Sequence, residues 1–242
     1  DNGKKIWYRE IPKKWCFTRL KLHSKIAIVT TLILLIAGTL LNFVLEYRNP
    51  ETIENLNTGQ KIMASAFQAV TTRTAGFSTF QQSGMHEETG FLNIILMFIG
   101  GSPGGTAGGI KVTTASIMFL LFKSELSGNS SVVFRNRIIS NKTILQAFTV
   151  ILFFLTMLFV GYVILLETNP TLSPLALLFE SISAIATVGV SMDLTPNLNT
   201  LGRLVIMALM FIGRVGPITV LLSLMTKKEK HISYAPTDIS VG

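Results

Sequence analysis

Charge is scarce in this chain, and so are the side chains that carry most enzyme chemistry. Charged residues make up 14% of the 242 positions, against roughly 25% in an ordinary soluble domain. There is a single cysteine, Cys16, so no disulfide can form within the chain. It lies beside a basic leader, and a reduced cytoplasmic thiol is the expectation. The three histidines, His23, His86 and His231, are scattered. No His/Cys/Asp cluster has the spacing of a metal site. No Ser-His-Asp set or carboxylate pair stands out, so an enzyme is not expected. Nothing calls for a covalent cofactor either.

Apolar residues are abundant, at 49%, and they come in blocks. Residues 26–47, 144–166 and 204–225 each have the length that spans a ~30 Å hydrocarbon core. A fourth block, 91–122, is interrupted by GGSPGGTAGG. Core helices of a soluble all-α protein are the alternative, but they are shorter and carry a polar stripe. The chain begins at Asp1 with no initiator Met, which reads as a fragment. The apolar run behind the basic leader is too long for a signal peptide and lacks a small-residue cleavage site.

The net charge of +8 is distributed by topology. Lys4, Lys5, Arg9, Lys13, Lys14, Arg19, Lys21 and Lys25 precede the first span. Lys123, Arg135, Arg137 and Lys142 lie between the second and third, and Lys227, Lys228 and Lys230 follow the last. The positive-inside rule makes all three stretches cytoplasmic, both ends of the chain included. This pattern points to a multi-pass cell-membrane protein and away from nucleic acid. The sequons at Asn129 and Asn141 then fall on the cytoplasmic side. Acidic residues, among them Glu46, Glu51, Glu87, Glu88, Glu167 and Asp193, dominate the other connections, so that face should attract cations.

The chain also repeats itself. LMFIG occurs at residues 96–100 and 209–213, an offset of 113, and the same offset lays TAGFS (74–78) on TVGVS (187–191). LEYRNP (45–50) resembles LLETNP (165–170) at an offset of 120. Each copy reads as a spanning helix, a short amphipathic helix (59–70 and 174–186), a glycine motif, a polar turn and a second spanning segment. Both ends of each unit are cytoplasmic. The short helix, at roughly 1.5 Å per residue, cannot cross. It must enter from outside and return, as a re-entrant pore helix. Irregular backbone at membrane depth persists only where it is buried in protein or lines a wet cavity. A central glycine lets carbonyls turn towards a common axis and replace the water around a cation. Thr74, Ala75, Gly76 and Phe77, with Thr187, Val188, Gly189 and Val190, are the expected selectivity filter, holding K⁺ on backbone carbonyls. A tight turn between helices is the competing interpretation. The expected fold is an all-α membrane protein of two such units. Its divisions are a leader 1–25, a first unit 26–122, a cytoplasmic loop 123–143, a second unit 144–226 and a tail 227–242.

The TVGVS string resembles the TVGYG of potassium channels, without the Tyr-Gly ending. Together with GGSPGGTAGGIKVTT, and one glycine per filter, the chain resembles KtrB, the membrane subunit of bacterial Ktr potassium transporters in the Trk/Ktr/HKT superfamily. That resemblance runs from about residue 25 to 225. It implies four units around one pore, of which this chain carries the third and fourth: half of a pseudo-fourfold pore, the C-terminal half. It further implies potassium transport with possible Na⁺ activation, homodimers and a cytoplasmic ring of nucleotide-binding KtrA subunits. A dimeric potassium channel with two pore units per chain is the alternative, and a poreless membrane sensor or scaffold is a third reading.

Gly100, Gly101, Ser102, Pro103, Gly104, Gly105, Thr106, Ala107, Gly108 and Gly109 put six glycines and a proline inside a would-be span. At roughly 1 kcal/mol per glycine and 3 for proline, no continuous helix is expected there. Discontinuous helices mark transport sites and gates, and the resemblance implies an intramembrane gate. A phosphate-binding loop is a poor match, because Ile110 occupies the lysine position; a simple packing kink is another alternative. Arg214, expected in mid-span, should face protein or water and donate to loop carbonyls, adding a positive barrier at the gate. Lys111 either faces the same cavity or joins the cytoplasmic funnel. Arg73 and Glu180 flank the filters, and a pair between them is one possible arrangement.

Overall fold

A computed structural model describes residues 20–105, 107–128, 131–134 and 137–216. Cys16, most of the basic leader, Thr106, Asn129, Arg135 and the tail from Pro217 lie outside the described residues.

Two long helices frame the chain. Helix α1 (Leu22–Glu46) has 25 residues and α5 (Asn141–Thr168) has 28, with mean hydropathies of 2.4 and 2.7. At ~1.5 Å per residue, both exceed a ~30 Å hydrocarbon core. Leu32, Ile36, Leu40 and Val44 on α1 stay exposed, as do Leu145, Leu152, Phe159 and Val160 on α5. Such faces suit hydrocarbon, whereas in water each would forfeit roughly 25 cal/mol per Å². Both helices end shortly before an Asn-Pro pair.

Short helices follow each. Helix α2 (Thr58–Thr71) starts on a capping box between Asn57 and Gln60. Helix α6 (Pro174–Ile185) starts with proline at its first turn, where a missing N–H costs nothing. At about 21 and 18 Å they are too short to span. The interrupted block opens where its glycines begin: α3 (Glu87–Phe98) and α4 (Val112–Leu126) flank an irregular loop. Backbone bonds stitch its neck, from Gly100 N to Ile110 O (2.9 Å), Ile110 N to Phe98 O (3.2 Å) and Val112 N to Gly101 O (3.1 Å).

The last apolar block, 204–225, runs past the described residues; its described part lies in α7 (Thr200–Val215), which starts a turn earlier and ends at Val215. Gly216 caps it at φ +84. The reason is local: glycine followed by proline cannot continue a helix at low cost. Arg214 occupies the last turn of α7. The all-α expectation misses a small antiparallel hairpin, β1 (Val133–Phe134) with β2 (Arg137–Ile138). Apolar, β-prone residues just beyond the turn at Gly128 favour it over more helix.

Helix α1 packs on α2, α3 and α4, and α5 packs on α6 and α7. Contacts of α3 with α6 and of α4 with α5 join the two groups. The core centres on α6. Leu177, Phe179, Ile182 and Ile185 are almost fully buried against Phe154, Leu165 and Leu209, with Met97 reaching in from α3. Gly213 lets α7 press directly onto the Ile185 carbonyl.

Candidate functional site

The segments after α2 and α6 are irregular, and they share a backbone pattern. Thr74 and Gly76 have φ of 73 and 82, and Thr187 and Gly189 have φ of 55 and 89. In extended backbone successive carbonyls alternate sides. Returning every second residue to positive φ brings them towards one side. A β-branched residue at positive φ is an outlier and costs of order 1–3 kcal/mol. The chain sustains that cost twice, 113 residues apart. A threonine two residues before the glycine carries this strain in each of the matching strings TAGFS and TVGVS.

Side chains pin both segments to their helices. Thr71 Oγ1 donates to Phe77 O at 2.5 Å and accepts from Phe77 N at 2.9 Å. In the second copy, Ser183 Oγ donates to Val190 O at 2.5 Å. The two hydroxyls differ from the 113 offset by one residue, so sequence alignment of the copies did not reveal them. Further back, Gln68 and Gln82 exchange amide bonds at 2.7 and 3.3 Å. Glu180 accepts from Ser191 and from Thr195 Oγ1 in the other copy.

The two segments face each other in contact. A Cβ placed on Gly76 would lie 2.6 Å from Val188 O and 3.7 Å from Gly189 Cα. Their surroundings differ. Val188 and Val190 are buried in the core, whereas Phe77 is 69% exposed. The second segment alone lies against the α6 core. Near the turns after each segment, Asp193 accepts from Gln81 Nε2 at 3.1 Å and Ser83 Oγ at 2.9 Å, joining the two copies.

The glycine-rich loop lies against this pair. Gly108 packs onto Ala186 O and the Thr187 side chain so closely that any Cβ there would overlap them. Gly101, Ser102, Pro103, Gly104 and Gly105 form its open part, and Gly109 closes it at φ +71. Lys111 Nζ donates to Ala107 O, which ties this lysine to the loop. Arg73 and Glu180 do not pair. Arg73 Nη2 donates to Gly100 O at 2.6 Å, while Glu180 is held by Ser191 and Thr195. The Gly100 and Ala107 carbonyls accept from Arg73 and Lys111, and Arg214, expected to donate to loop carbonyls, lies nearby. It stands within electrostatic reach of Lys111. It also lines a cavity of about 570 Å³ with Glu180, Thr187, Gly189 and Ser191. Thr187 Oγ1 is buried without a partner beside it.

The family profile described as TrkH, cation transport protein, matches residues 7–234. The Ktr system potassium uptake protein B of Bacillus subtilis is 37% identical over 96% of the chain and 52% of its own length. The potassium/sodium uptake protein NtpJ of Enterococcus hirae is 35% identical over 98% of the chain and 54% of its length. The chain thus spans about half the length of the curated relatives it matches. The crystal structure of the potassium transporter TrkH from Vibrio parahaemolyticus has the same fold. It aligns with TM-score 0.68 at 18% identity, over 81% of this chain and 43% of that one.

Proposed function

Because the chain belongs to the TrkH family of cation transport proteins, we propose that it supplies part of a potassium pathway through the cell membrane. The observation that carries this reading is the pair of facing segments at Gly76 and Gly189, each with alternating φ at the C-terminal end of a short helix. That end of a helix carries a partial negative charge, which favours a cation. Carbonyls of Thr74, Ala75, Gly76 and Phe77 and of Thr187, Val188, Gly189 and Val190 act as the filter in place of hydration water. No covalent step is involved.

Two such segments on their own touch. An ion-wide ring needs further segments, which two more units of the same kind supply in the whole protein. The exposed Phe77 ring is the surface left for a neighbouring unit to cover. The loop from Gly100 to Gly109 serves as an intramembrane gate beneath the filter, with Lys111 and Arg214 adding positive charge to the barrier. The same reading extends to homodimers, a cytoplasmic KtrA-type nucleotide-binding ring and possible Na⁺ activation. The last draws on the relative named for both potassium and sodium.

The test is uptake by cells that lack their own potassium systems, expressing the intact transporter. Gly76→Ser and Gly189→Ser should lower K⁺ uptake or its preference over Na⁺. Deleting residues 101–108 should raise flux. Unaltered uptake and preference in glycine variants that reach the membrane would remove the filter assignment.

A further inference from the structure

Arg73 has no role in the filter or barrier described so far, yet it occupies a demanding position. It directly follows Thr72, the cap of α2, and directly precedes Thr74 at positive φ. Its backbone N–H still bonds to Val70 O at 3.0 Å, so the residue is rigidly attached to α2. A guanidinium at membrane depth costs at least ~2.5 kcal/mol on insertion scales and persists where it does work. Among the described residues its hydrogen-bond partner is the Gly100 carbonyl, 27 positions away at 2.6 Å, and Nη1 is buried without a partner. Glu180, the carboxylate that flanks the other filter segment, is held by Ser191 and Thr195.

Gly100 is where the loop departs. Helix α3 has ended at Phe98, so this carbonyl has no helical donor, and the Gly100 N–H is already bonded to Ile110 O. A cation at a helix C-terminus is favourable, and a charge-assisted bond is about twice as strong as a neutral one. The loop thus meets both glycine segments. Its neck is held from the first by Arg73, and Gly108 rests on the second at Thr187.

We propose that Arg73 is a positioning residue that ties the first glycine segment to the neck of the glycine-rich loop, so that the loop leaves its closed position only when the Arg73–Gly100 bond breaks. The inference rests on the gate reading above. It adds that the loop is latched from the filter side, so disturbance of Thr74–Phe77 is felt at the gate through one guanidinium.

The experiment labels the loop directly and needs no transport. In the intact transporter with Cys16→Ser, Ser102→Cys places a thiol on an exposed, non-glycine loop position. Its reaction rate with a small cationic thiol reagent in membranes reports how often the loop opens. Arg73→Gln should speed labelling about tenfold, the ratio that loss of one charge-assisted bond implies. Arg73→Lys, which keeps the charge and a donor without the planar fork, should fall between. Arg73→Gln should also raise K⁺ flux, and should add nothing once residues 101–108 are deleted. A labelling rate equal to the parent's overturns the tie, as does an equal flux change with and without the loop. If Arg73→Gln does not accumulate, Arg73→Lys decides by the same comparison. If deletion leaves flux unchanged while Arg73→Gln still speeds labelling, the tie stands and the gate reading falls.

Discussion

Gly76→Ala and Gly189→Ala occupy matching places in the repeat, so by sequence their effects should be equal. By structure they should not be. Both positions have left-handed φ, 82 and 89, and an alanine there costs roughly 1–2 kcal/mol. The surroundings then separate them. A Cβ on Gly189 finds its nearest neighbour at 3.8 Å, an ordinary contact, whereas one on Gly76 meets Val188 O at 2.6 Å. That carbonyl belongs to a segment packed in the core, so it yields only at a further cost. Overpacking of this kind typically adds about 1–3 kcal/mol. Gly76→Ala should therefore lose about 2–5 kcal/mol in total and Gly189→Ala about 1–2. The assay is thermal unfolding of the detergent-solubilised transporter, paired with K⁺ against Na⁺ uptake in the same cells. Gly76→Ala should have the lower midpoint and the greater loss of K⁺ preference. Equal midpoints, or a larger loss for Gly189→Ala, would refute the close approach of the two segments.

Other outcomes follow from single contacts. Gly213→Ala should destabilise by about 1–3 kcal/mol, since its Cβ would overlap the Ile185 carbonyl; an unchanged melting midpoint would show that α7 stands off from α6. Glu46 is 1% exposed and accepts from Asn49 Nδ2 (2.6 Å), Thr52 Oγ1 (2.6 Å) and His86 N (3.0 Å). Glu46→Ala leaves three donors seeking partners and should cost about 2–4 kcal/mol, more than Glu46→Gln, which keeps one acceptor oxygen. Equal midpoints for the two would count against that network. Asp193→Asn keeps an acceptor for Gln81 and Ser83 and tolerates φ +58, whereas Asp193→Ala does neither. The alanine variant should therefore lose about 1 kcal/mol more, and parity in chemical denaturation would argue that the bridge contributes nothing.

Length and composition settled the long apolar helices, because roughly twenty uncharged residues leave few other options. The broken block was equally legible, since six glycines and a proline in ten residues admit no helix. The short helices and their glycine turns followed from the repeat. Less was readable at the end of α7, because the apolar run continues in sequence past the turn at Gly216. The hairpin at Val133–Ile138 was missed because two-residue strands carry no periodicity.

Local chemistry along the chain thus determined where helices form, where they cannot, and which two turns are alike. Those properties depend on neighbours a few positions away. Only the tertiary structure decided that Arg73 reaches Gly100 instead of Glu180, that Lys111 closes the loop, and that one turn is buried while its counterpart lies open. The partners in each case come from different helices. Which donor meets which carbonyl is set by packing distance and burial, and no spacing along the chain encodes that.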